Sequence, residues 1–246
     1  MTNTEAIKSL AGLFREHRGA MVLTGAGIST ESGIPDFRSP GTGLYNSIDP
    51  MEYLSVDALR ARPEVFWKYF TEVFEPSAFA EPNAGHIALA KMEAAGYVSA
   101  VATQNIDGLH QKAGSHSVFE VHGHLRTARC SGCRETLPLS AAFEQVRSGC
   151  LPVCERCGDS LRPDVVLFGD MMPEAFARAS EAAARCGLLL VVGSSLTVSP
   201  ANTLAFRSGT LAIINRDPTP FDDRAALVIH SPAGETLAAL AAELLP

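Results

Sequence analysis

The feature that most constrains the fold of this chain is an apolar run that leads straight into a glycine-rich turn. Residues 21–24 read Met-Val-Leu-Thr, and residues 25–27 read Gly-Ala-Gly. A buried parallel strand that ends in such a turn delivers backbone N–H groups and a helix N-terminus to a phosphate. A dinucleotide fingerprint would have a third glycine where this chain has Thr30, and Gly33 and Pro35 keep the following helix short. The turn therefore predicts a phosphate site that does not serve ordinary hydride transfer.

The same arrangement recurs along the chain. Apolar runs over residues 97–103, 188–192 and 211–214 each end in small or polar residues, and helical periodicity lies between them. This alternation predicts an α/β fold with a Rossmann-like, doubly wound parallel sheet. Because the carboxyl ends of parallel strands share one edge of a sheet, we expect an extended ligand site there.

Four cysteines form two Cys-x-x-Cys pairs. The pairs are Cys130 with Cys133 and Cys154 with Cys157. Their spacing predicts a tetrahedral thiolate cage of the zinc-ribbon type. We assign Cys154 rather than Cys150 to the cage, because its two-residue spacing to Cys157 matches that of the first pair. The alternative, four unliganded thiols, would leave a loop-rich segment without a stabilising cross-link.

Two segments interrupt the alternation of strands and helices. We predict that residues 40–80 form a helical insertion and that residues 125–163 form a zinc-binding insertion. Together they would build a second, smaller zinc-ribbon and helical domain. Residues 1–39, 81–124 and 164–246 would then form a discontinuous Rossmann-like domain.

Composition argues against several classes of protein. With 246 residues and a net charge of −7, the chain offers little basic surface for direct binding of nucleic acid. Its apolar runs fall short of the roughly 20 residues that a membrane-spanning helix needs. Residues 1–20 read as an amphipathic helix rather than a signal peptide. We therefore expect a cytoplasmic protein whose six cysteines are metal ligands, catalytic thiols or buried bystanders rather than disulfides.

One histidine stands where a proton carrier is expected. His122 follows a short predicted strand at 118–121, and Asn105 and Asp107 follow the preceding strand. Imidazole is the usual side chain for moving a proton near neutral pH, so we interpret His122 as a general base rather than a structural histidine. The histidines that we expect to be structural or solvated are His17, His86, His110, His116 and His230.

A series of motifs then occurs in one order over nearly the whole chain. They are Gly-Ala-Gly-Ile-Ser at 25–29, Gly-Ile-Pro-Asp-Phe-Arg-Ser at 33–39, Thr-Gln-Asn-Ile-Asp at 103–107, Glu-x-His-Gly at 120–123, the two cysteine pairs, and Phe-Gly-Asp-x-x-Pro at 168–173. Together they resemble the sirtuin family of NAD-dependent protein lysine deacylases. The resemblance implies transfer of an acyl group from lysine to ADP-ribose, with release of nicotinamide and O-acyl-ADP-ribose. It also implies acylated-lysine proteins or peptides as partners.

The resemblance assigns roles to individual residues. His122 and Asn105 would be catalytic, and the four paired cysteines would hold one structural Zn²⁺. NAD would be bound by Gly25, Ala26, Gly27, Ser29, Asp36, Phe37, Arg38, Gln104, Asn105, Ile106, Asp107, Gly193, Ser194, Ser195, Asn215 and Arg216. The acyl-lysine substrate would contact Phe37, Val166, Phe168, Gly169, Trp67 and Phe70.

Some positions depart from the family pattern. His124 places a second imidazole near the expected base, and Asp170 replaces the more usual glutamate. Trp67 and Phe70 stand where succinyl-selective sirtuins carry a tyrosine and an arginine. We therefore expect a small, uncharged acyl group, unless a shifted helix register brings Lys68 into the site.

Two other functions stay open from the sequence. One is an NAD-dependent protein ADP-ribosyltransferase, which uses the same cofactor with a different acceptor. The other is a non-catalytic module that binds NAD or a peptide, although such a module has no need of a base at His122. The oligomeric state is also open, with a monomer favoured.

Overall fold

The computed structural model describes residues 2–36 and 49–245. Its strands are β1 (Ala20–Thr24), β2 (Val98–Thr103), β3 (Val118–Glu120), β4 (Gly123–Cys130), β5 (Thr136–Pro138), β6 (Leu161–Val165), β7 (Leu188–Val192), β8 (Thr210–Ile214) and β9 (Leu227–Ile229). Its α-helices are α1 (Asn3–Glu16), α2 (Pro50–Tyr53), α3 (Val56–Ala61), α4 (Pro63–Phe74), α5 (Ala84–Ala94), α6 (Leu109–Lys112), α7 (Leu139–Arg147), α8 (Glu174–Arg185) and α9 (Ala233–Leu244). Short 3₁₀ helices cover Ala26–Ile28, Thr30–Ser32, Glu75–Phe79, Ala201–Phe206 and Asp222–Arg224.

Six parallel strands form the larger sheet, in the order β3-β2-β1-β7-β8-β9. The sheet begins with β1, continues outward through β2 and β3, and is then extended on the other side of β1 by β7. In the register of the sheet, Thr24 at the end of β1 lies beside Thr103 of β2 and Val192 of β7. The residues that follow these strands therefore emerge side by side at the switch point, where doubly wound sheets bind ligands.

Helices cover both faces of this sheet. On one face, α1, α5 and α9 contribute Phe14, Leu89 and Leu240 to a fully buried cluster. On the other face, α8 and the adjacent 3₁₀ helix contribute Ala183 and Leu204. Strands β1 and β7 are buried along their whole length because both of their faces are covered, which explains their continuous apolar sequences.

A second, antiparallel sheet has the order β5-β4-β6. Helices α4 and α7 pack against it, and Phe66, Phe70 and Phe143 share one buried cluster with Leu161 of β6. The helical segment and the cysteine-rich segment are therefore joined by one core. The predicted fold class, a Rossmann-like sheet with a smaller zinc-ribbon and helical unit, is confirmed. The residue limits that we gave for the two domains stay a prediction.

Within the part of the chain that the structure describes, no helix combines the length and the apolar character needed to cross a membrane.

Candidate active site

The glycine-rich turn after β1 packs directly against the loop after β7. The Gly25 N–H donates to the carbonyl of Val192 (3.0 Å), and the Gly27 N–H donates to the carbonyl of Gly193 (2.8 Å). A Cβ atom added to Gly25 would lie 2.7 Å from the Gly193 oxygen, and one on Gly27 would lie 2.7 Å from the Gly193 Cα atom. Both glycines are thus required by close contact between the two loops. These two N–H groups are bonded within the protein, although the sequence pattern suggested that such groups would face a phosphate.

Three polar side chains are fixed behind this turn. The Asn105 side-chain amide donates to the Gly25 carbonyl (3.1 Å) and to the Ser29 hydroxyl (3.0 Å), and that hydroxyl donates to Asp107 (2.7 Å). The Leu109 N–H donates to the other oxygen of Asp107 (2.9 Å). Burial raises the pKa of the Asp107 carboxyl, while the hydrogen bonds from Leu109 and Ser29 oppose that shift. The network sets the positions of Asn105 and Ser29 relative to the turn.

His122 is held by the end of the neighbouring strand. Its Nδ1 atom lies 3.0 Å from the Gln104 carbonyl oxygen. A carbonyl can only accept, so in the neutral ring Nδ1 carries the proton and Nε2 carries the lone pair. The Gln104 side chain in turn donates to the Ser194 hydroxyl (2.9 Å), and the Val166 N–H donates to the His122 carbonyl (2.9 Å). The residue after β2 therefore positions the imidazole, and the residue after β6 holds the His122 backbone.

One cavity of about 410 Å³ brings most of the predicted site residues together. The predicted residues that line it are Gly25, Ala26, Gly27, Ser29, Asp36, Phe70, Gln104, Asn105, Ile106, Asp107, His122, Val166, Phe168, Gly169, Gly193, Ser194, Ser195 and Asn215. They follow strands β1, β2, β7 and β8 on one side and belong to the smaller unit on the other. Phe37 and Arg38, predicted for NAD and substrate, lie outside the described residues.

Two of the described residues that were predicted to contact NAD or substrate do not line this cavity. Trp67 is 2% exposed and packs edge-on against Phe66 and Phe70, with ring centroids 5.7 Å apart in both cases. Arg216 is exposed to solvent, whereas the residues on either side of it reach the cavity. Lys68 is also exposed and borders a separate surface groove, so the shifted register considered for it is not observed.

The part of the cavity wall that α4 supplies is instead formed by Phe70 and Phe74, whose ring centroids are 4.8 Å apart. Residues four apart share one face of a helix, so Phe74 rather than Trp67 accompanies Phe70 at the cavity. Helical spacing from Phe70 could have found Phe74 in the sequence. Other lining residues that sequence reasoning missed include Leu54, Leu125, Leu167, Met172, Pro200 and Asp217.

The charged side chains among the described lining residues are all carboxylates. They are Asp36, Asp107, Asp170 and Asp217. His124, the second imidazole of the sequence, is not among the lining residues. The apolar half of the cavity, from Phe70 and Phe74 to Val166 and Phe168, thus carries no cation within the described chain.

The four paired cysteines meet at one point of the smaller unit. Their sulfur atoms all lie within 4.8 Å of one another, with Cys130 3.4 Å from Cys157 and Cys133 3.7 Å from Cys154. Four sulfurs bonded to one tetrahedral zinc ion lie about 3.8 Å apart, given bonds of about 2.3 Å. The donor set therefore fits a structural zinc ion and leaves no ligand position open. Cys150 is exposed and outside this cluster, as the spacing argument predicted.

Comparison with known proteins agrees with this geometry. The Sir2 family model matches residues 25–200. NAD-dependent protein deacetylase 2 of Caldanaerobacter subterraneus subsp. tengcongensis is 48% identical over 238 residues, covering 96% of this chain and 95% of that protein. NAD-dependent protein deacylase 2 of Archaeoglobus fulgidus is 40% identical over 246 residues, covering 98% of this chain and 96% of that protein.

Solved structures are similar over the same length. A Sir2 with a p53 peptide and NAD⁺ has a TM-score of 0.88 and 38% identity, covering 96% of this chain and 98% of that chain. A variant Sir2 with a deacetylated p53 peptide and 3′-O-acetyl ADP-ribose has a TM-score of 0.92 and 38% identity, with the same coverage. Similarity of this extent in sequence and in structure leaves one assignment: the chain belongs to the Sir2 family.

Proposed function

We propose that the protein is an NAD-dependent protein lysine deacylase. It transfers the acyl group of an acyl-lysine to ADP-ribose and releases nicotinamide and O-acyl-ADP-ribose. The observation that carries this proposal is a single cavity with a positioned imidazole, His122, between a polar half and an apolar half. A polar half suits a dinucleotide and an apolar half suits an acylated lysine side chain, so both reactants can meet at the imidazole.

The polar half fits NAD. The loops after β1, β2, β7 and β8 supply glycines, amides and hydroxyls along one sheet edge, as open α/β sheets do for dinucleotides. When bound, NAD supplies the ribose carbon from which nicotinamide departs. Asn105 and Ser29 are held by hydrogen bonds to the turn and to Asp107, so they can orient polar groups at this end without reorganisation.

His122 acts as the general base in this proposal. Its Nδ1 proton is held by the Gln104 carbonyl, which leaves the lone pair at Nε2 to take a proton from a hydroxyl in the cavity. The carbonyl also stabilises the imidazolium that forms. Gln104 itself is fixed by the Ser194 hydroxyl, so the base is oriented through a chain of two hydrogen bonds.

The apolar half supports a small, uncharged acyl group. Phe70, Phe74 and Phe168 form its walls, and the described lining residues include no lysine or arginine. A carboxylate on the acyl chain would lose its hydration there without gaining a cationic partner from the described residues. Acetyl-lysine avoids that cost.

The zinc cage has a structural role in this proposal. Cys130, Cys133, Cys154 and Cys157 would hold the ion in a closed tetrahedron, where it stabilises the fold of the smaller unit. A reducing compartment such as the cytoplasm keeps these thiolates available, and we propose that the protein works there, as a monomer. Its substrates are acylated proteins or peptides rather than nucleic acid or membranes, in keeping with a net charge of −7.

One assay tests the proposed function. The protein is incubated with NAD and an acetyl-lysine peptide, and peptide mass and free nicotinamide are followed by mass spectrometry. We expect loss of the acetyl group, with one nicotinamide released for each acetyl group removed. Transfer of label from NAD onto protein without deacetylation would show an ADP-ribosyltransferase instead. Binding of NAD without nicotinamide release would show a non-catalytic module.

A further inference from the structure

The segment between β6 and α8 forms a tight turn at the cavity wall. The Asp170 N–H donates to the Leu167 carbonyl (3.0 Å), and the Leu167 N–H donates back to the Asp170 carboxylate (2.9 Å). Gly169 has a φ of 92°, a backbone conformation that this turn requires. Residues with a Cβ atom rarely adopt it. The turn is thus closed twice, once through the backbone and once through the Asp170 side chain.

Arg162 of β6 joins this turn to the antiparallel sheet. Its guanidinium donates to both oxygens of Asp170, with Nη2–Oδ2 2.7 Å and Nη1–Oδ1 3.3 Å. The same Nη2 lies 3.4 Å from the Val165 carbonyl oxygen. A two-point pair of this kind fixes both the distance and the orientation of the two groups. Arg162 is not one of the residues that line the cavity.

The residues held by this turn form the contact surface of the acyl site. Phe168 lies on the cavity wall, and its N–H and carbonyl are bonded to the Leu54 carbonyl and the Val56 N–H, at 3.0 Å each. Val166 lies on the same wall and donates to the His122 carbonyl. The turn therefore connects the antiparallel sheet, the helices of the smaller unit and the residue that we propose as the base.

We propose that the ion pair of Arg162 with Asp170 is a positioning device for acyl-lysine binding. Both carboxylate oxygens of Asp170 are engaged within the protein, so this residue shapes the wall through the turn rather than by contact with the substrate. The shorter aspartate side chain, in place of the family's more usual glutamate, reaches the N–H of its own turn. This inference rests on the proposed deacylase function, because it concerns the peptide side of the same cavity.

A double-mutant cycle tests the proposal. Asp170→Asn removes the charge at nearly constant size, and Arg162→Gln replaces the charged side chain with a shorter, neutral polar one. We expect each to raise the KM for an acetyl-lysine peptide about tenfold, the effect of losing one charged hydrogen-bond pair, with kcat and the KM for NAD little changed. The double variant should be no worse than either single variant, because both changes break the same pair. Arg162→Lys, which keeps the charge, should recover part of the loss.

The matched control is a second ion pair on the same sheet. Arg129 and Asp164 lie on β4 and β6, 3.2 Å apart at Nε–Oδ1, and neither lines the cavity. Asp164→Asn should leave the KM for the peptide unchanged, which separates positioning from general loosening of the sheet.

Three outcomes would overturn the proposal. These are a normal peptide KM in Arg162→Gln, an equal rise in Asp164→Asn, or a rise in Asp170→Asn alone, which would show direct contact of Asp170 with the substrate. The dissociation constant of the acetyl-lysine peptide, measured by calorimetry for the same variants, decides the question without turnover. Absence of turnover in the unchanged protein would count against the proposed function, whereas equal peptide affinities of Arg162→Gln and the unchanged protein would count against the ion pair.

Discussion

At the scale of single residues, the site depends on which nitrogen of His122 carries the proton. The Gln104 carbonyl accepts from Nδ1, so Nε2 is the basic atom in the neutral ring. The tautomer of the proposed base is therefore set by the backbone. The neighbouring His124 is two residues away in sequence but is not among the residues that line the cavity. Replacement of His122 is therefore expected to slow turnover, whereas replacement of His124 is not.

His122→Ala is expected to lower the rate of deacylation on the order of 10²–10⁴-fold, the usual contribution of a general base. NAD should still bind, because the turn at Gly25 and Gly27 is untouched. Single-turnover rates and the NAD dissociation constant measure the two effects separately. His124→Ala is the control and should retain activity; the reverse pattern would make His124 the base.

Two buried histidines make stability depend on pH. The rings of His86 and His110 lie 4.9 Å apart, and the His110 Nε2 atom is 3.0 Å from the Thr24 hydroxyl. Burial lowers the pKa of His86 to about 4 and that of His110 to about 3, from an ordinary value of 6.5. Below pH 6.5 the unfolded chain binds protons that the folded chain does not. Stability is therefore full above pH 6.5 and falls as the pH is lowered towards 4.

The free energy of unfolding in urea is expected to fall between pH 7.5 and pH 5, by about 2 kcal/mol for each of the two imidazoles. The raised pKa of Asp107 has the opposite sign, because the folded chain binds a proton at this carboxyl more readily than the unfolded chain does. His86→Gln and His110→Gln should each make the pH dependence shallower. The exposed His116 provides the control, since His116→Gln should leave the slope unchanged. An unchanged slope in both buried-site variants would refute the explanation.

At the scale of secondary-structure elements, strands were easier to predict from the sequence than helix faces. The run 188–192 is apolar throughout because β7 is covered on both sides, and the structure has a strand at these residues. Helix α4 is apolar on several sides, so its sequence does not say which side meets the cavity. Trp67 was predicted there, but it packs inward with Phe66.

Contacts between distant parts of the chain were also not predictable from the sequence. The sequence indicated a phosphate turn at Gly25 and Gly27, yet their N–H groups donate to Val192 and Gly193. Neither partner can be identified without the order of strands in the sheet. The cysteine cage could be predicted fully, because its ligand spacing is a local property of the chain.

The aromatic face of α4 sets the expected acyl preference. Phe70 and Phe74 offer an apolar wall, so we expect kcat/KM for an acetyl-lysine peptide to exceed that for the succinyl form at least tenfold, the cost of an unpaired buried charge. One peptide carrying acetyl, butyryl or succinyl lysine provides the comparison. Lys68→Ala tests whether the Lys68 ammonium group reaches the acyl chain. We expect it to leave the ratio of the acetyl and succinyl kcat/KM values unchanged. Succinyl turnover as fast as acetyl turnover would contradict this picture of the wall.

At the scale of the whole molecule, the cavity lies between two separately packed units. The clusters on the two faces of the parallel sheet contain different residues from the cluster of the smaller unit, in which Cys130 and Cys154 pack with Phe70 and Leu161. The zinc cage is therefore continuous with the apolar wall of the acyl site. Loss of the cage should therefore weaken substrate binding, because the two share one core. The sheet edge that binds NAD packs on other clusters and should be affected less.

Cys130→Ser is expected to remove zinc and to lower Tm on the order of 10 °C, because the smaller unit loses the metal ion that links its two cysteine pairs. Activity on the acetyl-lysine peptide should fall with zinc content, while NAD affinity at low temperature stays closer to normal. Atomic emission, calorimetry and NAD titration measure the three quantities on one preparation. Cys150→Ser is the matched control, since this thiol is exposed and outside the cage, and it should behave like the unchanged protein. A zinc-free Cys130→Ser protein with full stability and full peptide turnover would show that the cage does not support the acyl wall.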